Sequence, residues 1–600
     1  MPGFAMGRVG ARFQARGGGF FKLTGAGVVA AVVAVAGAPL SAAKQPLTPA
    51  ADGNAVTSVL NIEGPLHASH GVLTSQPATN SGVDVAALIG ADRFYNAGYD
   101  GTGAVASNVE AGHLWAGHSA LGHVSTFVDD PATPSSPFVS PVTDRHATWV
   151  AQALGGRGGN ALREGIAPGA ELRSGAIADT WTGDAYSLNF TFTTDSLDTA
   201  YNTGATGYSG VDVINSSWSS EDDSGSTGLT GLFDGLAFAN PQTTHVFSAG
   251  NTGVGKVRGP ASGYNTIAVG ALENDGANNY DAVASFSSRG PNDYEDPFNG
   301  TTSDVRAAID LVAPGTDLVL AFYGGQSGGN DPSLTDSTDD GGDGFTYSAG
   351  LSGTSFAAPI VAGVATLMND AAVDRGLPLT ATDSRVIKAN LQNAADKIPG
   401  WDNGQADVGG VQTTAQSLDY ASGAGALNAD ATFDQFLTGE TDIAGDTGGV
   451  STRAHGWDFA SVDATAGSST DIVLPMQFLG GTEFTATLTW FRDRERLSST
   501  QVQDNAFADL DLQIWDSTFT TLLAESNSQY NNVEHLHFVL DQDTTIGLRA
   551  DFFGMNFDGV DTSAVDFALA WEGQLVPAPG TGLAMLLVGG LVLGRRGRSA

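Results

Sequence analysis

A serine, a histidine and a carboxylate stand in this sequence at positions where each could take part in covalent chemistry. Ser355 lies in Gly353-Thr354-Ser355-Phe356-Ala357-Ala358-Pro359, which opens a helical pattern with Ile360, Val361, Val364, Leu367 and Met368 on its apolar face. Serine in a first helical turn is most often a cap. The same position suits a nucleophile, because the positive end of a helix favours negative charge developing on an attacked carbonyl. Its small neighbours leave the backbone open to a substrate. His146 begins a second helical pattern, Asp144-Arg145-His146-Ala147-Thr148-Trp149-Val150-Ala151, with Val150, Ala151 and Leu154 on one face. A lone helical histidine is more often structural than catalytic, so its meaning depends on its partners. Glu110 closes the strand-like run Ala104-Val105-Ala106-Ser107-Asn108-Val109-Glu110 and is followed by Ala111-Gly112. Alone, it is a strand entering a turn.

Taken together, in the order acid, histidine, serine, these three stretches resemble the subtilisin-like serine proteases, whose order differs from that of chymotrypsin and the α/β-hydrolases. Gly-Thr-Ser-x-Ala-x-Pro is a specific signature, and it has companions. Ser248-Ala249-Gly250-Asn251 looks like the family's oxyanion-hole stretch, with Asn251 as the side-chain donor. Val213-Ile214-Asn215-Ser216-Ser217-Trp218 resembles the strand and loop lining the primary specificity pocket, which makes Ser216, Ser217 and Trp218 candidates for substrate binding. Phe286-Ser287-Ser288-Arg289-Gly290-Pro291 and Leu311-Val312-Ala313-Pro314-Gly315 are further family segments. The resemblance covers roughly residues 86–430.

The resemblance implies that Ser355 attacks a peptide carbonyl while neutral His146 takes its proton and returns it to the leaving amine. Glu110 holds the imidazole tautomer, and Asn251 with the Ser355 N–H binds the oxyanion. No cofactor is needed for this chemistry. Activity is expected to fall as His146 protonates, towards pH ~6. The departure is at the acid: the family has Asp followed by Ser or Thr and Gly, where this chain has Glu110-Ala111-Gly112. Glutamate adds one methylene, about 1.5 Å of reach, which the strand end or the side chain must fold back to absorb. Asp144, Asp129 and Asp130 are the other nearby carboxylates. Two residues before the histidine, Asp144 is more often a helix N-cap than an orienting acid.

These groups need a scaffold to bring them together. Over residues 86–430, β-rich runs such as 211–215, 245–248 and 266–269 alternate with helical patterns at 144–154, 195–201, 355–368 and 384–396. That alternation predicts an α/β fold: a parallel sheet covered by helices, with chemistry at the carboxyl ends of its strands. From 450 to 574 the pattern becomes short alternating strands, including 484–490, 510–515 and 567–571, without a helix. Period-2 segments between Asp, Ser, Asn and Gly turns predict an antiparallel all-β sandwich as a second domain, expected to stabilise the first. Residues 44–85 read as a linker or short pro-segment with little fixed structure. Residues 331–344 hold five Asp and neither Lys nor Arg; such a run is normally a solvated loop, and a structural calcium site is the alternative.

Composition narrows the partners. The 600 residues carry a formal charge of −39, which repels phosphate backbones and anionic headgroups and excludes a nucleic-acid role. There is no cysteine, hence neither disulfide nor thiolate nucleophile. The content of 80 Gly and 23 Pro stays below the ~25–30% at which disorder is the default reading. Residues 1–43 run from Arg8, Arg12, Arg16 and Lys22 through an apolar stretch to Ser41-Ala42-Ala43, the order of a signal peptide. Residues 575–600 combine Val576-Pro577-Ala578-Pro579, a short apolar run and Arg595-Arg596-Gly597-Arg598. They resemble a PEP-CTERM sorting tail, with Ala578 where its motif usually has Glu. The run is shorter than the ~20 residues of a stable spanning helix. Export to the surface of a Gram-negative cell is therefore expected, with signal peptidase and an exosortase-type enzyme as processing partners, peptides or proteins as substrates, and a monomeric state. The rival reading is a catalytically inactive surface protein that keeps the scaffold for binding or adhesion.

Overall fold

The structure, a computed structural model, describes residues 56–59, 66–69, 83–128, 143–183, 187–192, 194–201, 210–226, 228–321, 347–441 and 448–574. The signal-peptide and sorting-tail readings, Asp129, Asp130 and the acidic run 331–344 lie outside these residues.

Eight strands build the sheet that carries the site. Seven lie in the order 282–283, 267–273, 244–248, 213–216, 105–110, 171–176 and 126–128, and Leu311–Pro314 pairs with Ile267–Glu273. The six pairings among the strands other than 282–283 are parallel. The chain leaves Val105–Glu110 towards Glu171–Ala176, then returns to place Val213–Ser216 on its other edge. This reversal makes the carboxyl end of the central strand the crevice of the fold. Alternation divides the core. Val213, Val246 and Val269 face one cluster, and Ile214, Phe247 and Ala268 face the other.

Three helices follow from their sequence signals. Arg145–Gly155 is capped by Asp144, whose side chain accepts from the N–H groups of His146 and Ala147. Thr354–Arg375 runs beyond the expected end at 368 to a left-handed Gly376. It is long and apolar enough to cross a membrane, yet its apolar window is 94% buried inside the protein; it is a core helix. Ser384–Asn393 is buried along its whole length.

The C-terminal region consists of two sheets. One has nine strands, with Gln501–Asp516 and Thr544–Asp558 at its centre. The other has four antiparallel strands in the order 455–463, 564–574, 483–490 and 533–539. Leu488, Trp490, Phe567 and Leu569 of the small sheet share one core with Leu474, Leu510, Leu512 and Leu548 of the large one. The opposite face of the small sheet rests on the helices of the α/β region: Thr489 donates to the Arg385 carbonyl at 3.0 Å, and the Trp457 indole donates to the Phe436 carbonyl at 2.8 Å.

Two segments depart from the sequence reading. Residues 56–59 and 66–69, expected to lack fixed structure, are strands paired with 501–504 and 187–190. Strand Val411–Thr414, assigned by pattern to the α/β region, pairs with Leu522–Ser526 of the C-terminal sheet.

Candidate active site

The central strand delivers Glu110 to its carboxyl end, where the side chain is wholly buried. Its two oxygens divide between two elements. Oε2 meets His146 Nδ1 at 2.9 Å, and Oε1 accepts the Ser217 N–H at 2.6 Å. The extra methylene is thus absorbed by a fork between the histidine helix and the loop that follows Val213–Ser216. Asp144 is the helix cap: Oδ1 and Oδ2 accept from the N–H groups of His146 and Ala147 at 3.2 and 3.3 Å. The geometry therefore gives the imidazole contact to Glu110.

Burial disfavours the His146 imidazolium, but the charge and hydrogen bond of Glu110, with the charge of Asp144, outweigh it and hold the group above its ordinary value. If His146 governs an acid limb of activity, that limb is expected above the pH of about 6 read from the sequence.

Ser355 sits in the first turn of its helix, 2% exposed, and its hydroxyl donates to the Ser217 carbonyl at 3.4 Å. Its own carbonyl has an unusual partner. Pro359, four residues on, has no N–H to return to it, and the Ser217 hydroxyl donates there instead, at 2.8 Å. Ser217 thus touches Glu110, the Ser355 hydroxyl and the Ser355 carbonyl with three different atoms. Ser217→Ala strips this buried carbonyl of that donor, so a loss of about 1–3 kcal/mol in unfolding free energy is expected, measured as a lower denaturant midpoint at unchanged m-value.

Asn251 is placed by the residue before the nucleophile. Its Oδ1 accepts from the Thr354 N–H and hydroxyl, each at 2.9 Å, which puts the donor atom Nδ2 at the opposite end of the amide. The preceding Gly250 has φ +102°, and a Cβ there would meet Ser288 Oγ at 3.0 Å. Only glycine makes this turn without strain.

Two pocket candidates fall elsewhere. Trp218 is 1% exposed; it packs against Phe233 and Phe247, and its indole donates to the Val109 carbonyl at 3.2 Å. Its ring lies in the core cluster with Phe233 and Phe247. Ser216, on the same side, bonds the Tyr201 hydroxyl. Of the three, Ser217 is the one in contact with Glu110 and Ser355. Sequence reasoning missed Asn108 and Asn215, which link neighbouring strands: Asn215 Nδ2 donates to Asn108 Oδ1 at 3.4 Å and Ser217 Oγ at 3.2 Å, and Asn108 donates to the Ala147 carbonyl at 3.1 Å. Amides inside apolar central strands were the available signal, since buried polar groups need partners. Among the described residues, no group of His, Asp and Glu has the arrangement of a metal site.

The chain matches the family described as Peptidase_S8, Subtilase family, over residues 121–425, half of its length. The chain belongs to the subtilase family. The matched span begins beyond Glu110. It is 30% identical over 193 residues to a thermophilic serine proteinase from Bacillus sp. (strain AK1), a match spanning 32% of this chain and 34% of that protein, so only about a third of the relative's length is covered. The structure of the prenylagaramide maturation protease PagA is similar at a TM-score of 0.40 and 21% identity, covering 58% of this chain and 99% of that one. A mutant of the protease domain of PatA gives 0.38 and 21%, covering 56% and 97%.

Proposed function

We propose that this subtilase is an exported serine endopeptidase in which Ser355 is the nucleophile, His146 the general base and Glu110 the orienting acid. The observation that carries the reading is the Glu110 fork, because it ties the histidine helix to the same Ser217 that holds Ser355. With Nδ1 engaged by Glu110, Nε2 is the nitrogen that receives the Ser355 proton as Oγ bonds to the peptide carbonyl carbon. The C–N bond then breaks, and the proton leaves with the amine. Water repeats the sequence on the acyl-enzyme, freeing the acid and restoring the serine. Negative charge on the tetrahedral oxygen is met by Asn251 Nδ2 and the N–H at the helix start. Protein or peptide segments are the substrates.

Export rests on residues 1–43 and envelope sorting on residues 575–600, and residues 450–574 are read as a β-sandwich domain. A fluorophosphonate probe tests the catalytic reading. Wild type is expected to be labelled and Ser355→Ala not; a folded wild type that stays unlabelled would favour the inactive surface scaffold.

A further inference from the structure

Beneath the catalytic groups the central strands carry a second, uncharged rung. Val105–Glu110 and Val213–Ser216 run parallel with Asn108 opposite Asn215. Side chains alternate between the faces of a strand, so Asn108 shares a face with Glu110, two residues on. Both amides are buried. Asn215 Nδ2 lies between two acceptors, Asn108 Oδ1 at 3.4 Å and Ser217 Oγ at 3.2 Å. Asn108 extends the line by donating to the carbonyl of Ala147, the residue after His146, at 3.1 Å. At the other end the Ser217 hydroxyl donates to the Ser355 carbonyl at 2.8 Å. One line of hydrogen bonds, made by side chains other than Glu110, therefore joins the first turn of the histidine helix to the first turn of the serine helix.

The direction of the bonds follows from the groups themselves. A hydroxyl has a single proton. Because Asn215 donates to Ser217 Oγ, that oxygen is an acceptor on one side, and its proton is left for the Ser355 carbonyl, which receives no N–H from Pro359. Stability alone does not account for Asn215. Its Oδ1 is buried without a hydrogen-bond partner among the described residues, and central strands favour apolar β-branched residues at such positions. A residue that breaks the local rule in this way is expected where its geometry is used.

We propose that Asn108 and Asn215 are positioning residues for peptide hydrolysis, which fix the Ser217 hydroxyl on the Ser355 carbonyl and thereby set the approach of the serine helix to the histidine helix. The two rungs divide the task. Glu110 carries charge and orients the imidazole; the amides carry none and hold the backbone of both helix starts. Such a role is kinetically visible, because a displacement of about 1 Å away from the reacting bond can cost 10²-fold in rate.

This role rests on the peptidase reading and deepens it. The test measures kcat, KM and their pH dependence on a peptide substrate for the full chain, with active sites counted by fluorophosphonate labelling, in wild type, Asn215→Val, Ser217→Ala and the double variant. Asn215→Val is expected to lower kcat per labelled site by roughly 10–10²-fold with KM within about twofold of wild type. The acid limb is expected to stay in place, because the charges facing His146, those of Glu110 and Asp144, are unchanged. In the double variant the loss is expected within about twofold of the larger single loss, since both residues act through one hydroxyl, whereas independent structural roles would multiply the two losses. Wild-type kcat in Asn215→Val, or losses that multiply, overturns the proposal. Where Asn215→Val does not fold, Asn108→Val, which cuts the tie to Ala147 and leaves Ser217 in place, carries the same test: wild-type kcat in the folded, labelled protein overturns the proposal, and so does failure of both variants to fold. Wild type that neither labels nor cleaves peptides removes the peptidase reading itself; labelled wild type beside asparagine variants of equal kcat removes the positioning role alone.

Discussion

Glu110→Gln is expected to lower kcat for peptide hydrolysis by roughly 10³–10⁴-fold, whereas Asp144→Asn leaves most of it. The corresponding acid-to-amide change in a chymotrypsin-type triad costs about 10⁴, and that magnitude is borrowed here. The physical cause is local. A glutamine can keep one contact to Ser217 or His146, but it cannot accept from both with its two ends, because one is now an N–H donor. Presented to His146 Nδ1, that donor stabilises the tautomer with the proton on Nε2, which is the wrong nitrogen to carry it. The charge that sustains the developing imidazolium is lost as well. Asp144 makes a different contribution: its oxygens cap the helix, so Asp144→Asn, which keeps a good cap, should cost a few tenths of a kcal/mol to about 1 kcal/mol of stability.

The same substitution has a signed pH consequence. His146 must be neutral to accept a proton, and in wild type Glu110 and Asp144 raise its pKa despite burial. The acid limb of kcat/KM is therefore expected above the ordinary imidazole value of about 6.5. Removing the Glu110 charge lets burial prevail, so the residual activity of Glu110→Gln should show its acid limb displaced to lower pH. A limb that stays in place while kcat falls would mean that Glu110 acts by orientation alone. A full loss in Asp144→Asn with activity retained in Glu110→Gln would transfer the role to Asp144.

The helices bearing His146 and Ser355 were legible because their signals are local: a capping Asp144, a 3.6-residue apolar period, and glycine at position 353. The strands were legible for the same reason, since Ile214 and Phe247 alternate with Asn215 and Val246. What escaped reading depends on distant partners. The reach of Glu110 could not be judged without the Ser217 N–H, 107 positions away, which draws the second oxygen sideways. Trp218 sits just after a strand end, where alternation no longer predicts direction, and its ring turns into the aromatic cluster of Phe233 and Phe247. Val56–Val59 has no pattern of its own because its ladder is supplied by residues 501–504. The boundary between the two regions was blurred for a similar reason: 411–414 reads as a loop-flanked run until its partner at 522–526 is known.

A chain ending at residue 441 is expected not to fold, with no cooperative thermal transition and no fluorophosphonate labelling. An appended stabilising domain would permit the opposite, so the argument turns on what the small sheet covers. Helix Ser384–Asn393 is buried throughout, and part of that cover is the small sheet: Thr487 donates to Asn393 at 3.0 Å, Thr489 to the Arg385 carbonyl, and the Arg385 guanidinium lies over Phe459 and Phe491 at 4.7 and 4.4 Å. Trp457, wholly buried, stacks on Phe436 and bonds its carbonyl. Arg494, buried on strand Asp493–Ser498, donates to Asp234 Oδ2 at 2.8 Å, and truncation removes that partner together with the cover over the helix and the tryptophan site. Circular dichroism melts and limited proteolysis would check the outcome. A truncated chain that melts in one transition and labels at Ser355 would show that the α/β region holds its core and its site unaided, and that Arg494 serves a scaffold able to stand without it.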